Sequence, residues 1–155
     1  MASTVYHEPH LRGASTGKMC TIGGILPWEP KSESEHEIEY QFYFRSMQIP
    51  ILASRSGMVV RAKYKTTNFW HNFMDDWDSI HSTNYVVVDH GDGTCAKYVH
   101  INPDVRCGDK VSTGDPLGNL YGKSWYTDPH LHFYLFRLNE DKIIFMPVKF
   151  EAAKK

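Results

Sequence analysis

The sequence predicts an all-β domain, an antiparallel β-sandwich-like fold with one short helical insertion. Two observations carry this prediction: short runs in which apolar and polar residues alternate, and turn signals rich in Gly and Asp between them. A length of 155 residues fits one domain. A content of 41% hydrophobic and 14% aromatic residues supplies the apolar surface that one core needs.

The first predicted element is an irregular N-terminal arm over residues 1–35, because this stretch is rich in Gly, Pro, Ser and Thr. The domain itself is predicted to cover residues 36–150. Its first strands are expected between Glu39 and Ala62, where aromatic and β-branched residues dominate, with a turn at Gly57.

The next stretch has helical periodicity instead. From Asn68 to Ile80 the apolar side chains recur at a spacing of three or four residues, and Asn68 can serve as the N-cap. We therefore predict a short helix inserted between two strands. Its aromatic residues Trp70, Phe73 and Trp77 either pack on the sheet or line a groove beside it.

Short strands are predicted again in the second half. Tyr85–Asp89 and Thr94–Ile101 form a hairpin around the turn Gly91–Asp92–Gly93. Later strands are expected at Val105–Val111, Leu117–Leu120 and His130–Leu138. Strands at this spacing are typical of an antiparallel all-β domain.

Composition argues against several functions. The 17 Lys and Arg residues against 18 Asp and Glu residues give no basic excess for binding nucleic acid. No apolar run approaches the roughly 18 residues of a membrane helix, and the first residues do not resemble a signal peptide. The three cysteines form no CxxC pair. We expect a soluble chain without leader, membrane span, disulfide framework or nucleic-acid partner.

The most informative motif is His130-Leu131-His132, which lies in a strand-like run. Because side chains alternate along a strand, both imidazoles are expected on one face. Two such imidazoles can share a zinc ion, or one can bind the ion while the other transfers protons. The alternative is that both simply face solvent.

Three motifs follow one another along the chain: Asn84-Tyr-Val-Val-Val-Asp-His-Gly-Asp-Gly-Thr, Tyr98-Val-His100, and Asp128-Pro-His130-Leu-His132-Phe. In order and spacing, residues 36–138 resemble the lysostaphin-type (LytM-like) zinc metallopeptidases. Members of that family cut peptide bridges in bacterial cell walls. The resemblance implies a mostly antiparallel β fold with the active site in a groove on the sheet.

The resemblance also implies site residues. His132, His36 and the residue at position 43 match the three zinc ligands, and His100 and His130 match the pair that flanks the attacking water. The family has Asp at the middle ligand position, whereas this chain has Tyr43. Zinc is therefore the implied cofactor, with one unusual ligand.

The departure at Tyr43 weakens the predicted metal site. A phenol with an ordinary pKa of about 10 must be deprotonated before it can bind zinc, so affinity near neutral pH should fall. Three carboxylates nearby are alternative ligands: Glu35, Glu37 and Glu39. His71 and Asp75 also have metal-ligand spacing on the predicted helix, although such residues more often form a solvated helix face.

Two functions are therefore carried forward. The first is a zinc metalloendopeptidase that hydrolyses peptide bonds of bacterial peptidoglycan, with activity weakened or lost at Tyr43. The second is a degenerate, non-catalytic module that binds peptidoglycan or a partner hydrolase. Both imply a bacterial or phage cell-wall context. Retention of His100, His130 and His132 favours the enzyme.

Overall fold

The computed structural model describes residues 5–10, 15–22, 39–44, 49–63, 84–120, 130–139 and 142–151. Within these ranges the chain forms strands and no helix. The strands are β1 (Tyr6–His7), β2 (Ser15–Ile22), β3 (Glu39–Phe44), β4 (Pro50–Leu52), β5 (Gly57–Lys63), β6 (Tyr85–Asp89), β7 (Thr94–Val99), β8 (Ile101–Pro103), β9 (Lys110–Val111), β10 (Pro116–Leu120), β11 (His130–Asn139), β12 (Lys142–Met146) and β13 (Phe150–Glu151). The predicted all-β class is confirmed. The helix predicted over 68–80 lies outside the described residues.

The strands form three sheets. The largest has the order β2-β3-β11-β7-β6-β5-β9, with β12 also paired to β11. A second sheet has the order β4-β10-β8. These two sheets are antiparallel throughout, whereas the small third sheet pairs β1 with β13 in parallel.

The alternation of side chains along β11 shows which face of the large sheet packs on the core. In β11, Leu131, Phe133 and Leu135 are buried, and the residues between them belong to the opposite face. The same alternation buries one set of side chains on the neighbouring strands: Tyr40, Phe42, Phe44, Val86, Val88, Ala96 and Tyr98. We call this the inner face, and the opposite face of the large sheet the outer face.

The other two sheets cover the inner face. Ile51, Leu117 and Ile101 of the second sheet are fully buried in the same core. From the third sheet, the Phe150 ring packs edge-on against two β3 rings and one β11 ring, with centroid distances of 5.1–5.3 Å. The result is the two-layered architecture that the alternation predicts.

The chain departs from expectation near both ends. The stretch predicted as an irregular arm contains β1 and β2, because β1 pairs with β13 and β2 with β3 at the sheet edge. The boundary between arm and domain at residues 35 and 36 stays a prediction. Strands β12 and β13 follow the last predicted strand.

The strand expected over Val105–Val111 is also shorter than predicted. Only Lys110–Val111 is extended, because a turn precedes it. The Asp109 carboxylate accepts a hydrogen bond from the Arg106 backbone N–H at 2.8 Å, and the Arg106 carbonyl accepts one from the Asp109 N–H at 3.0 Å. These bonds close a tight turn in place of a strand. In the part of the chain described, no helix is long and apolar enough to cross a membrane.

Candidate functional site

The candidate site lies on the outer face of the large sheet, at β11. His132 stands between the buried Leu131 and Phe133, so strand alternation places it on the face away from the core. It is directly opposite Val99 of β7, which in turn is opposite Tyr85 of β6. His132 therefore belongs to a row of residues that crosses the sheet at right angles to the strands.

A second imidazole reaches the same place from the end of β7. The rings of His100 and His132 have a centroid distance of 4.7 Å and an interplanar angle of 79°. Sequence reasoning placed both residues in one site, and the structure brings them together. At this distance, both imidazoles are close enough to contact one small ligand.

The backbone of His100 has an unusual conformation. Its φ of 77° makes it the one non-glycine residue with positive φ in the described ranges. A side chain in this left-handed region carries an energetic cost, and such residues cluster at functional sites. The conformation turns the chain sharply between β7 and β8, which directs the imidazole toward β11.

A buried asparagine holds this corner in place. The carbonyl of Asn84 accepts a hydrogen bond from the backbone N–H of His100 at 2.9 Å. The Asn84 side chain, which is 1% exposed as a whole residue, donates from Nδ2 to Oδ1 of Asn102 at 2.7 Å. Sequence reasoning missed this role. The available signal was a polar residue immediately before an apolar strand, which is weak without knowledge of its partner.

Burial sets the protonation state of His132. Removal from water disfavours the charged imidazolium and lowers the pKa of His132 to about 4, below the ordinary value of 6.5. The ring is therefore neutral at pH 7. A neutral imidazole has the lone pair that either a metal ligand or a proton acceptor needs.

Strand β3 borders the site on the other side of β11. In its register Gln41 is opposite His132, and Tyr43 is opposite His130. The position of Tyr43 is therefore diagonal to that of His132, and such positions are typically about 7–8 Å apart. Of Tyr43 and His130, only the backbone positions belong to the described structure.

Several predicted ligands lie outside the described residues. These are His36, Glu35 and Glu37, together with the helical pair His71 and Asp75. Among the residues that are described, no group of three or more His, Cys, Asp or Glu side chains is arranged to hold a metal ion. The described part of the site thus contributes one imidazole pair, and a zinc site built on it would need further ligands.

Comparisons with known proteins identify the family. The sequence model of peptidase family M23 matches residues 42–143, more than half of the chain. An uncharacterised metalloprotease of Buchnera aphidicola subsp. Baizongia pistaciae is 31% identical over 85 residues, covering 54% of this chain and 19% of the relative. The peptidoglycan DD-endopeptidase ShyC of Vibrio cholerae is 29% identical over 92 residues, covering 59% and 18%. The chain thus matches about a fifth of the length of each of these relatives.

Among solved structures, the fold is similar to that of the antimicrobial peptidase lysostaphin from Staphylococcus simulans. The TM-score is 0.56 at 21% identity, over 90% of this chain and 50% of that one. At this identity the likeness shows the fold alone. Together with the match over residues 42–143, it confirms the resemblance drawn from the histidine motifs, and the chain belongs to peptidase family M23 with a lysostaphin-type fold.

Proposed function

We propose that the protein is a zinc-dependent endopeptidase that hydrolyses peptide bonds of bacterial cell-wall peptidoglycan. The observation that carries this proposal is the contact between the His100 and His132 rings, at 4.7 Å, on the outer face of the sheet. A protein that kept the fold only as a scaffold has no physical need for a strained backbone at one histidine and a half-buried neutral ring at the other. The name of the Vibrio cholerae relative supports peptidoglycan as the substrate.

The donor set fits zinc in part. His132 is neutral and on the outer face, and the proposed further ligands are His36 and the phenolate of Tyr43, whose backbone position is diagonal to that of His132 in the register. Zinc, when bound, supplies Lewis acidity at the scissile carbonyl. Glu35, Glu37 and Glu39 remain the alternative oxygen ligands.

The two remaining histidines handle protons in this proposal. His100, fixed by the Asn84 carbonyl, accepts the proton of the attacking water. His130, two positions from His132 on the same strand, donates a hydrogen bond to the oxygen that becomes negative in the transition state. Both roles need a group that can be either neutral or protonated near pH 7, and imidazole is such a group.

The test is zinc content per chain together with release of soluble fragments from purified peptidoglycan. Wild type is expected to bind one zinc and to digest the polymer, whereas His132→Ala loses both. His7→Gln is the control, since His7 lies in β1, which belongs to a different sheet. If the wild-type protein binds no zinc and does not digest peptidoglycan, the proposal that it is a hydrolase is overturned.

A second function is favoured by one specific observation, the Tyr43 that stands where the family has Asp. If that change removes the metal, the protein is a non-catalytic module whose groove binds peptidoglycan or a partner hydrolase. Co-sedimentation with peptidoglycan by a zinc-free wild type would support this alternative. A zinc-loaded protein that digests the polymer would exclude it.

A further inference from the structure

A histidine that the proposed reaction does not use lies beside the N-terminal strand. The ring of His90, in the β6–β7 turn, packs edge-on against the ring of Tyr6 in β1, with a centroid distance of 5.6 Å and an interplanar angle of 75°. Tyr6 is buried. We call residues 5–10, which include β1, the N-terminal segment. His90 thus forms part of the surface on which this segment docks.

The N-terminal segment is also held by residues 53–56, the connection between β4 and β5. The His7 N–H donates to the Ser54 carbonyl at 3.0 Å, and the Ser54 hydroxyl donates to the His7 carbonyl. In the next residue of the connection, Arg55 Nη1 donates to the Tyr6 hydroxyl at 3.2 Å. The docking of β1 therefore depends on the groups that hold the β4–β5 connection in place.

His90 is one of these groups. Its Nδ1 is 2.8 Å from the carbonyl oxygen of Ser56, and since a carbonyl only accepts, Nδ1 carries the hydrogen of the neutral ring. The lone pair is then on Nε2. This atom is removed from solvent and has no hydrogen-bond partner among the residues that the structure describes. A proton added to the ring would go to Nε2, where no acceptor receives it.

Burial keeps the His90 ring neutral. It disfavours the charged imidazolium and lowers the pKa of His90 below the ordinary value of 6.5. Three charged groups also face the ring: Arg55 opposes a positive charge there, whereas Asp89 and Asp92 favour it. Asp92 is already engaged by Arg55, with 2.8 Å between Oδ2 and Nη1. At pH 7 the ring is therefore mostly neutral.

We propose that His90 is an acid-sensitive latch: the neutral ring holds the N-terminal segment on the domain, and protonation of the ring releases it. A proton on Nε2 must be hydrated, so the ring gives up its contacts with Ser56 and Tyr6. Because the folded pKa lies below that of a free imidazole, docking is strongest above pH 6.5 and weakens as the pH falls below that value. This inference does not depend on the proposed hydrolase activity.

Hydrogen exchange of the His7 and Glu8 amides reports on docking, because these N–H groups donate to Ser54 and Glu151 in the docked segment. Protection factors, which are corrected for the intrinsic effect of pH on exchange, are measured at about pH 8 and about pH 5. The paired amides of β7 and β11, at the centre of the large sheet, are the reference for global stability.

The test variant is His90→Asn, because its amide can still donate to the Ser56 carbonyl but does not titrate. The control is His7→Asn, which removes a histidine from the N-terminal segment itself. In wild type, protection of the two reporter amides should fall about three- to tenfold more than that of the reference amides on acidification, since one unit of pKa difference changes the docking equilibrium tenfold. His90→Asn should abolish this additional fall, and His7→Asn should retain it.

Titration of the His90 ring by NMR tests the proposal in the wild-type protein, without any variant. The ring should titrate below pH 6.5, at the pH at which the N-terminal segment loses protection. No additional fall in wild type, an equal fall in His90→Asn, or a ring that titrates while the segment stays protected overturns the proposal. Loss of the pH dependence in His7→Asn alone would assign the titration to His7 and overturn it as well.

Discussion

At the scale of single residues, His100 combines a structural cost with a proposed catalytic task. A left-handed conformation at φ 77° disfavours any residue with a Cβ, so glycine would suit the backbone better. Selection for stability alone would not keep histidine there. The cost of the backbone conformation and the contribution of the imidazole can be measured separately, with variants that both lack the ring but differ in whether they carry a Cβ.

We predict that His100→Gly is more stable than His100→Ala by about 0.5–1 kcal/mol, because alanine keeps the backbone cost and glycine removes it. Both variants should lose peptidoglycan digestion, since both lack the imidazole. Urea unfolding and digestion assays check the two parts separately. Equal stability of the glycine and alanine variants would show that the backbone at this position carries no cost.

The ligand at position 43 gives a second prediction. Tyr43→Asp should raise zinc affinity at pH 7 by at least about tenfold, because a carboxylate is already ionised there while a phenol is not. Tyr43→Phe, which lacks the oxygen, should lower it. Competition with a chromogenic chelator measures both. Affinities unchanged in both variants would place the oxygen ligand at Glu35, Glu37 or Glu39 instead.

A third residue prediction concerns Asp92 in the β6–β7 turn. Burial alone would raise the pKa of Asp92, but hydrogen bonds from Thr94 and the Arg55 guanidinium outweigh it and lower the pKa to about 2. The ordinary value is 3.8. Because the folded pKa is depressed, the stabilisation is present above pH 3.8 and is lost as the pH falls toward 2.

Asp92→Asn should therefore lower stability at pH 7 and change it little near pH 2. The loss should stay below about 1 kcal/mol, since the carboxylate is largely exposed. Thermal unfolding at both pH values checks this, with the exposed Asp104→Asn as the control for charge. A loss of the same size at both pH values would contradict the role given to ionisation.

Prediction from sequence reaches furthest where a motif identifies the residue. The resemblance to the zinc metallopeptidases predicts that His100 and His132 share one site, and their rings are in contact. Their roles in that site stay predictions. The structural role of Asn84 could not be predicted, since it depends on Asn102 and on the turn at His100. The contact of Lys63 and Lys97 with the Tyr85 ring could not be predicted either, because it depends on the register of three neighbouring strands.

At the scale of elements, β10 shows how tightly two strands approach each other. Gly118 has φ of 154°, and a Cβ at this position would overlap the backbone carbonyl oxygen of Asn102 in β8. Gly91, in the β6–β7 turn, also has a positive φ of 84°, but the space around it is open. Substitutions at the two glycines therefore distinguish the cost of the backbone conformation from the cost of crowding.

Gly91→Ala should cost about 1 kcal/mol, from the left-handed conformation alone. Gly118→Ala should cost about 2–4 kcal/mol, because the β8–β10 pair must also move apart. Chemical denaturation of both variants gives the comparison. Equal losses of stability in the two variants would mean that β8 and β10 can move apart at little cost.

Most elements could be predicted because their side chains alternate strongly. The bounds of β6 agree with the predicted strand, and β11 is one residue longer than predicted. Strands β1 and β13 could not be predicted, because two residues carry no periodicity and each is defined only by its partner at the other end of the chain.

At the scale of the whole molecule, two buried tyrosines join distant segments. The Tyr98 hydroxyl accepts a hydrogen bond from the Ser54 backbone N–H at 2.8 Å, and the Tyr40 hydroxyl accepts one from Val148 at 2.7 Å. Burial raises the pKa of both phenols, which keeps them neutral. Each bond links a strand of the large sheet to a connecting segment that is distant in sequence.

Tyr98→Phe should lower the free energy of unfolding by about 1–3 kcal/mol, because it leaves the Ser54 N–H buried without an acceptor. The denaturant dependence of unfolding should not change, since the packing of the ring is retained. Urea titration measures both quantities. A loss under about 0.5 kcal/mol would show that water replaces the hydroxyl.

The parallel pairing of β1 with β13 has a consequence for how the protein reaches its folded state. Tyr6 is synthesised well before its partner Phe150, so β1 must wait until the residues between them have been made. Contacts so far apart in sequence are slow to form, because the intervening chain must first be ordered. Closure of this pair is therefore expected as a late step in folding, during which the aromatic surface around Phe150 stays open to chaperones and proteases.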